Sequence, residues 1–461
     1  MRRKRSSRWT RRQVMAGSIA ALGLGIAALR TSTEATEHAA GPGDGAGKDN
    51  PFTRVRSKKG LQVQMIDDAV TLGVQHAGLN VNLSELVAPE GVGRAGELAN
   101  TLEHRYAGEV YRFRRDVLER HDALIRPLSA RGVLVYLILL VYEHPDASVN
   151  RRMLHPAYDR AAPNHLGAFN TVTPEGRRWL AAAIDLLAQR YAGENSPHGC
   201  VAGYIVGNEV NSHWFWSNRG RVAMPEFARD YEQAVRITQG SVRGHSTWAR
   251  VYVSLEHHWN MRYEGGDEQQ SFAGRPFLEE FARLARAGGD YDWHVAFHPY
   301  PENLFEPRFW NDRSATEADD TPRITFRNLP VLTRFLDREE LRYDGQSRRV
   351  ILSEQGFHTP DGPDGESVQA AAYCFAFRLV RDEPGIDAFI LHRHVDHAHE
   401  GGLRLGLWTN QAGSVVTPDR QKKIHECFRA ADTVDEGPAF EFALPIVGLR
   451  DWPAEALSPK R

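Results

Sequence analysis

Cysteine is scarce. Three stand in 461 residues, at positions 200, 374 and 427, far apart and without Cys-x-x-Cys or Cys-x-x-His spacing. Neither a disulfide framework nor a structural zinc site is indicated, and thiols packed as small apolar groups account for all three. Nucleotide fingerprints are also missing. No Gly-x-Gly-x-x-Gly follows a candidate strand and no Gly-x-x-x-x-Gly-Lys-Ser/Thr occurs, so dinucleotide and P-loop chemistry fall away. No apolar run reaches the roughly 20 residues of a membrane span, and the mean hydropathy is −0.48. A polytopic membrane protein is excluded. Dominant disorder is excluded too, because 10 Trp, 14 Tyr and 20 Phe supply a large core.

The net charge of −2 hides an asymmetry. Arg2, Arg3, Lys4, Arg5, Arg8, Arg11, Arg12 and Arg30 are the only charged residues among the first 30. Removing those eight positive charges leaves −10 on the remainder, which argues against nucleic acid or an anionic membrane as the main partner. The basic start ends in Thr10-Arg11-Arg12-Gln13-Val14-Met15, and a moderately apolar stretch from Ala16 to Leu29 follows. This order reads as a removable signal, and the paired arginines resemble the twin-arginine type. We therefore expect a signal over 1–40, a Gly- and Asp-rich linker over 41–50, and a catalytic domain over 51–461. The implied route is export by the Tat translocase to an extracellular or periplasmic location, with no stable membrane span in the mature chain.

Beyond the linker, strands and helices alternate. Candidate strands are Phe52–Arg56, His76–Leu83, Val133–Val141, Val201–Gly207, Arg250–Leu255, Trp293–His298, Val350–Ser353 and Ile386–Leu391. The run from Val133 to Val141 is apolar throughout, as a strand buried on both faces requires. Helical spacing fills the gaps, over 63–72, 114–130, 174–191, 225–238, 276–287, 329–336, 367–380 and 418–431. Thr173 is a plausible N-cap with Pro174 behind it, and Arg112-Phe113-Arg114-Arg115 reads as the start of a solvated helix. Eight βα units imply a parallel sheet. The expected fold is α/β, a single (β/α)8 TIM barrel with long loops at its C-terminal face.

Chemistry in such barrels lies at the C-terminal ends of strands. The second candidate strand ends near Asn80 and Asn82. The fourth ends in Gly207-Asn208-Glu209, the fifth in Glu256-His257-His258-Trp259, and the sixth in His298-Pro299-Tyr300. The seventh ends in Ser353-Glu354-Gln355 and the eighth in His392-Arg393-His394. Glu209 and Glu354 each close a strongly apolar strand, where an unpaired carboxylate is costly. Two carboxyls facing one gap are the equipment of glycoside hydrolysis.

This pattern is similar to the clan A glycoside hydrolases, retaining (β/α)8 enzymes. In them the acid/base Glu follows an Asn at the end of strand four and the nucleophile Glu ends strand seven. Asn208-Glu209 and Glu354 match in order and type. His298-x-Tyr300 looks like the strand-six pair of several such families, whose Tyr contacts the nucleophile. Leu405-Gly406-Leu407-Trp408 resembles the ending of such barrels. The likeness covers about residues 51 to 435 through spaced motifs. Two departures stand out. Asn80 and Asn82 occupy the region where many members carry Arg, and His392-Arg393-His394 replaces a Trp that closes strand eight. The chain also resembles a bacterial exported family of unknown function.

The resemblance implies a secreted retaining glycoside hydrolase acting on an oligo- or polysaccharide without a cofactor. Glu209 would be the acid/base and Glu354 the nucleophile, with carboxyl groups about 5–5.5 Å apart. Asn208 would bind the sugar 2-hydroxyl. His298, Tyr300, Asn80 and His392 are further candidate substrate contacts. Trp214, Trp259 and Trp408 could pack on sugar C–H faces. Two other readings stay open. His392, His394, His397 and His399, with His257, His258, His298 and His358 at neighbouring strand ends, could serve a metal-dependent barrel hydrolase. A non-catalytic carbohydrate-binding barrel is the third. For Glu143 and Glu256, structural pairing is the expected role.

Overall fold

The computed structural model describes residues 50–91, 99–193 and 195–452. The signal and most of the linker expected over 1–50 lie outside the described residues. Eight parallel strands close into a barrel: β1 (Lys59–Gln62), β2 (His76–Asn82), β3 (Leu134–Tyr142), β4 (Gly203–Val206), β5 (Arg250–Glu256), β6 (Trp293–His298), β7 (Val350–Gln355) and β8 (Ile386–Leu391). Closure comes from β8 pairing with β1, Lys59 opposite Phe389. Helices α1 (Ile66–Thr71), α2 (Arg115–Ser129), α3 (Pro174–Arg190), α4 (Met224–Arg243), α5 (Gly274–Ala287), α6 (Pro330–Leu336), α7 (Gly365–Arg381) and α8 (Lys423–Ala430) follow the strands in turn. Thr173 caps α3 as its sequence predicts, accepting the Gly176 amide with its hydroxyl. No helix among the described residues is long and apolar enough to cross a membrane.

Strand alternation sorts the core into two layers. Residues such as Val135, Leu137, Leu139 and Val141 of β3 face the helices. Leu134, Tyr136, Ile138 and Leu140 face inward, where they meet Ile205, Tyr252, Ala296, Ile351 and Ile390. The inner floor is aromatic. The Tyr136 and Tyr252 rings meet at 5.9 Å, and a Cβ on Gly203 would lie 2.7 Å from both. Glycine is what lets the two tyrosines close over β4.

Three expectations are corrected. The first strand is not Phe52–Arg56. That segment holds a 3-10 turn, Pro51–Thr53, and places the Phe52 ring 4.1 Å from the Arg250 guanidinium across the barrel floor. The true β1 begins at Lys59, seven residues after the expected start. Arg112–Arg114 do not start a helix. They end a β-hairpin, Thr101–Tyr106 with Glu109–Arg114, turned by Ala107 and Gly108 at φ 49° and 83°. Pro418 does not open the last helix either. Pro418–Gln421 pairs antiparallel with Trp408–Asn410, and α8 starts at Lys423. The long segment after β3 also carries a short helix, Ala147–Met153, and a two-residue strand, Leu166–Gly167, bonded to the tip of β3.

Candidate active site

The end of β4 presents Glu209 through an unusual backbone. Gly207 has φ +74°, and Glu209 itself sits in the left-handed region at φ 42°, ψ 50°. A non-glycine residue there is uncommon and persists only where its surroundings fix it. They do so here. The Glu209 amide donates to Ser254 Oγ at 3.0 Å, and a 3-10 turn, Val210–Ser212, follows at once. That turn is locked by Glu256, which is fully buried at the end of β5. Glu256 accepts from Asn211 Nδ2 at 2.9 Å and Ser212 Oγ at 2.8 Å with one oxygen. Its other oxygen meets the His258 amide at 3.1 Å and His258 Nδ1 at 2.6 Å. Glu256 is thus a structural clamp on the turn that follows Glu209.

Across the barrel, β7 presents Glu354. Carboxylate oxygens of Glu209 and Glu354 and a ring nitrogen of His298 lie within 4.8 Å of one another. Glu209 is 1% exposed, while Glu354 is half-buried. His298 Nδ1 stands 3.1 Å from Glu209 Oε1, and its Nε2 stands 3.0 Å from Ser353 Oγ, so the ring is held at both nitrogens. The Tyr300 hydroxyl donates to Glu354 Oε1 at 3.2 Å. On the other side Gln62 Nε2, from the end of β1, lies 3.5 Å from Glu354 Oε2.

The structure brings several of the sequence candidates to this gap. Asn208 is half-buried beside Glu209. Asn80 is exposed on β2 opposite Ile138, whose side chain faces inward, so Asn80 points into the mouth. His392 takes Gln62 Oε1 at 2.6 Å on Nδ1 and Glu400 Oε1 at 2.9 Å on Nε2. Arg393, following a cis His392–Arg393 peptide, also pairs with Glu400. A relay of contacts therefore runs from Glu354 through Gln62 to His392 and Glu400.

The three tryptophans are placed elsewhere, which corrects the expectation of sugar platforms. Trp259 is wholly buried and packs edge-on against Phe297 and Phe335 in the outer core under the helices. Trp214 belongs to a buried loop cluster with Phe215, Trp216 and Tyr263, and its Nε1 donates to Asp159 at 3.2 Å. Trp408 Nε1 donates to Asp68 at 2.8 Å. Asp68 also takes His394 Nε2 at 2.8 Å and His425 Nε2 at 3.1 Å. Burial opposes ionisation of Asp68, but those three donors outweigh it and hold the carboxyl far below its usual range.

The histidines of the β8 loop do not converge on one point. His394 is spent on Asp68 and on the amides of Gln64 and Met65, and His397 Nδ1 accepts the His399 amide. Among the described residues, the groups whose donor atoms could gather a cation are Glu256 with His257 and His258, and Glu209 with His298 and Glu354. Glu143 pairs with Arg160 at 2.7 Å.

Gln62 is the contact that sequence reasoning missed. With the first strand placed at 52–56, Gln62 fell at the edge of the following helix. The usable signal was Gly60. A Cβ there would lie 2.9 Å from Ile390 Cγ1 and 3.0 Å from His76 Cβ, a closeness found between packed strands.

The comparisons with known proteins agree with this fold. Residues 51–455 match a family of unknown function (DUF5722), and the chain belongs to it. No curated protein matches the sequence. Among solved structures, the chain is similar to a β-glucosidase from Pyrococcus furiosus, at 14% identity and a TM-score of 0.52 over 83% of this chain and 86% of that one. A β-glucosidase mutant derived from a hyperthermophilic tetrameric structure gives 14% and 0.51, over 83% and 86%. A family 39 glycoside hydrolase from Bacteroides cellulosilyticus gives 14% and 0.50, over 80% of this chain but only 60% of that one. The fold shared with these structures is the (β/α)8 barrel.

Proposed function

We propose that the protein is an exported retaining glycoside hydrolase. One observation carries this reading: carboxylates from opposite strands meet at the barrel mouth with oxygens within 4.8 Å. That spacing suits direct attack at the anomeric carbon. The roughly 6.5–9.5 Å of an inverting pair would leave room for an intervening water. Glu354 attacks, and its C–O bond forms as the glycosidic C–O bond breaks. Glu209 transfers its proton to the leaving oxygen. In the second step Glu209 takes a proton from water, whose oxygen displaces Glu354 and releases the sugar.

The neighbours fit those roles. The Tyr300 hydroxyl on Oε1 and the Gln62 amide on Oε2 hold the Glu354 carboxylate in line. His298 fixes Glu209 from below, and the Glu256 clamp fixes the turn that carries it. Asn208 and Asn80 offer amides to sugar hydroxyls. The expected substrate is an oligo- or polysaccharide, and the paired arginines at 11 and 12 support a twin-arginine route out of the cytoplasm.

The test is a broad panel of polysaccharides, oligosaccharides and aryl glycosides, offered to the wild type, Glu209→Gln and Glu354→Gln. New reducing ends and the anomeric configuration of the first product are measured, with and without chelator. Hydrolysis with retained configuration, lost in both variants and indifferent to chelator, is the expected result. Loss on chelation would instead place a cation on Glu209, His298 and Glu354. Glycan binding with no turnover would make the barrel a binding module.

A further inference from the structure

We infer that Tyr142 is a substrate-binding residue whose hydroxyl bonds an oxygen of the sugar seated against Glu354. This rests on the hydrolase reading. Tyr142 ends β3. Inward-facing Leu134, Tyr136, Ile138 and Leu140 precede it at every second position, so its ring enters the mouth above them. Its backbone is held from two sides. The amide donates to Ser84 Oγ at 3.2 Å, the Ser84 hydroxyl donates back to the Tyr142 carbonyl at 2.7 Å, and Leu166 pairs with it across the short antiparallel strand.

The hydroxyl is different. It is shielded from solvent and has no hydrogen-bond partner among the described residues. A buried phenol without a partner destabilises the fold. Here the backbone that carries the ring is held by Ser84 and Leu166, and the ring packs on the inner apolar layer. Burial, and then the nearby Glu354 and Glu85 carboxylates, hold the phenol well above its usual range, so it remains a donor at any working pH. The same wall carries Gln62 and Asn80, both neutral amides. Phenol and amides together suit the hydroxyls of a sugar ring. A sugar oxygen lying between Tyr142 and Glu354 would supply the missing partner.

The experiment compares wild type with Tyr142→Phe, which removes one oxygen. The substrates are the aryl glycoside that wild type hydrolyses fastest and its monodeoxy derivatives. The expected result is a fall in kcat/KM of about 10–100-fold with an unchanged or raised Tm. One deoxy substrate should cost wild type as much as the mutation costs on the parent, and the variant should not distinguish that pair. Activity within twofold of wild type overturns the inference. So does a loss that comes with a lowered Tm, or one equal on every deoxy substrate. If no aryl glycoside, oligosaccharide or polysaccharide of that panel is turned over, the hydrolase reading falls separately. Both proteins are then titrated with glucose, mannose, galactose and xylose. Binding at least tenfold weaker in the variant upholds the contact, whereas equal binding, or none by wild type, overturns it.

Discussion

The two ends of the barrel treat carboxylates in opposite ways. At the floor, Asp387 of β8 accepts Arg250 at 2.7 Å and Arg349 Nε at 3.1 and 3.2 Å. Burial opposes its ionisation, but the two guanidinia outweigh that and hold the carboxyl below its usual range. Lys58 spends its ammonium on the carbonyls of Val380 and Glu383, and burial pushes it down to about 8. At the mouth, Glu209 and Glu354 stand close to each other and are met by an imidazole, a phenol and an amide. A carboxylate neutralised by arginine is a poor nucleophile and a poor acid. The proposed hydrolysis needs two carboxyls that divide those roles, one giving a proton and one attacking. One fold thus builds an arginine-paired ion cluster at one end and two facing carboxyls at the other.

The largest break in that contrast is Glu354→Gln. It should lower kcat by about 10⁴-fold or more, since no covalent intermediate can form. Glu209→Gln should cost about 10²–10⁴-fold on poor leaving groups and far less on dinitrophenyl glycosides, which need no proton. Measuring both variants on both leaving groups separates nucleophile from acid. Next comes Glu256→Ala, which leaves His258, Asn211 and Ser212 without their acceptor. Unfolding in urea should show a loss of about 3 kcal/mol, and kcat should fall with it because the Glu209 turn is released. An intact kcat would sink the clamp.

How far the sequence displayed this contrast differs from strand to strand. The continuous apolar run of β3, and the apolar strands ending in Asn208-Glu209 and Ser353-Glu354, announced the barrel and its acidic pair. The four residues of β1 announced nothing. Lys-Gly-Leu-Gln is too short to show a period, and what fixes it is the approach of Ile390 and His76 around Gly60. Gln62 was lost with it. The hairpin over 101–114 alternates weakly and turns on Ala-Gly, so its basic end resembled a helix start. The tryptophans failed for another reason. Their position after a strand says nothing about whether the loop folds over the mouth or back onto the helices, as Trp259 does.

Smaller effects probe the floor. Asp387→Asn turns an ion cluster into two unpaired guanidinia. Because all three groups are partly exposed, the expected loss is about 1–3 kcal/mol, read from the urea midpoint, with KM unchanged on folded protein. A rise in KM would show that the two ends are coupled.

The last prediction concerns pH. His76 is buried on the floor, 3.1 Å from the Tyr136 hydroxyl and 3.0 Å from the Ser57 carbonyl. Burial pushes it down to about 4. Its folded pKa lies below the unfolded value of about 6.5, so the unfolded chain binds the proton first as pH falls. The stabilisation is complete above about 6.5 and is lost between there and about 4. The cost from pH 7 to pH 5 should be about 1–2 kcal/mol for this one group. His358 and His397, pushed down to about 4 by burial near the mouth, add to the same slope. His76→Asn should therefore flatten the fall in Tm between pH 7 and 5 without abolishing it. If the slope is unchanged, the acid sensitivity belongs to the other histidines that burial pushes down, His294 and His213 among them.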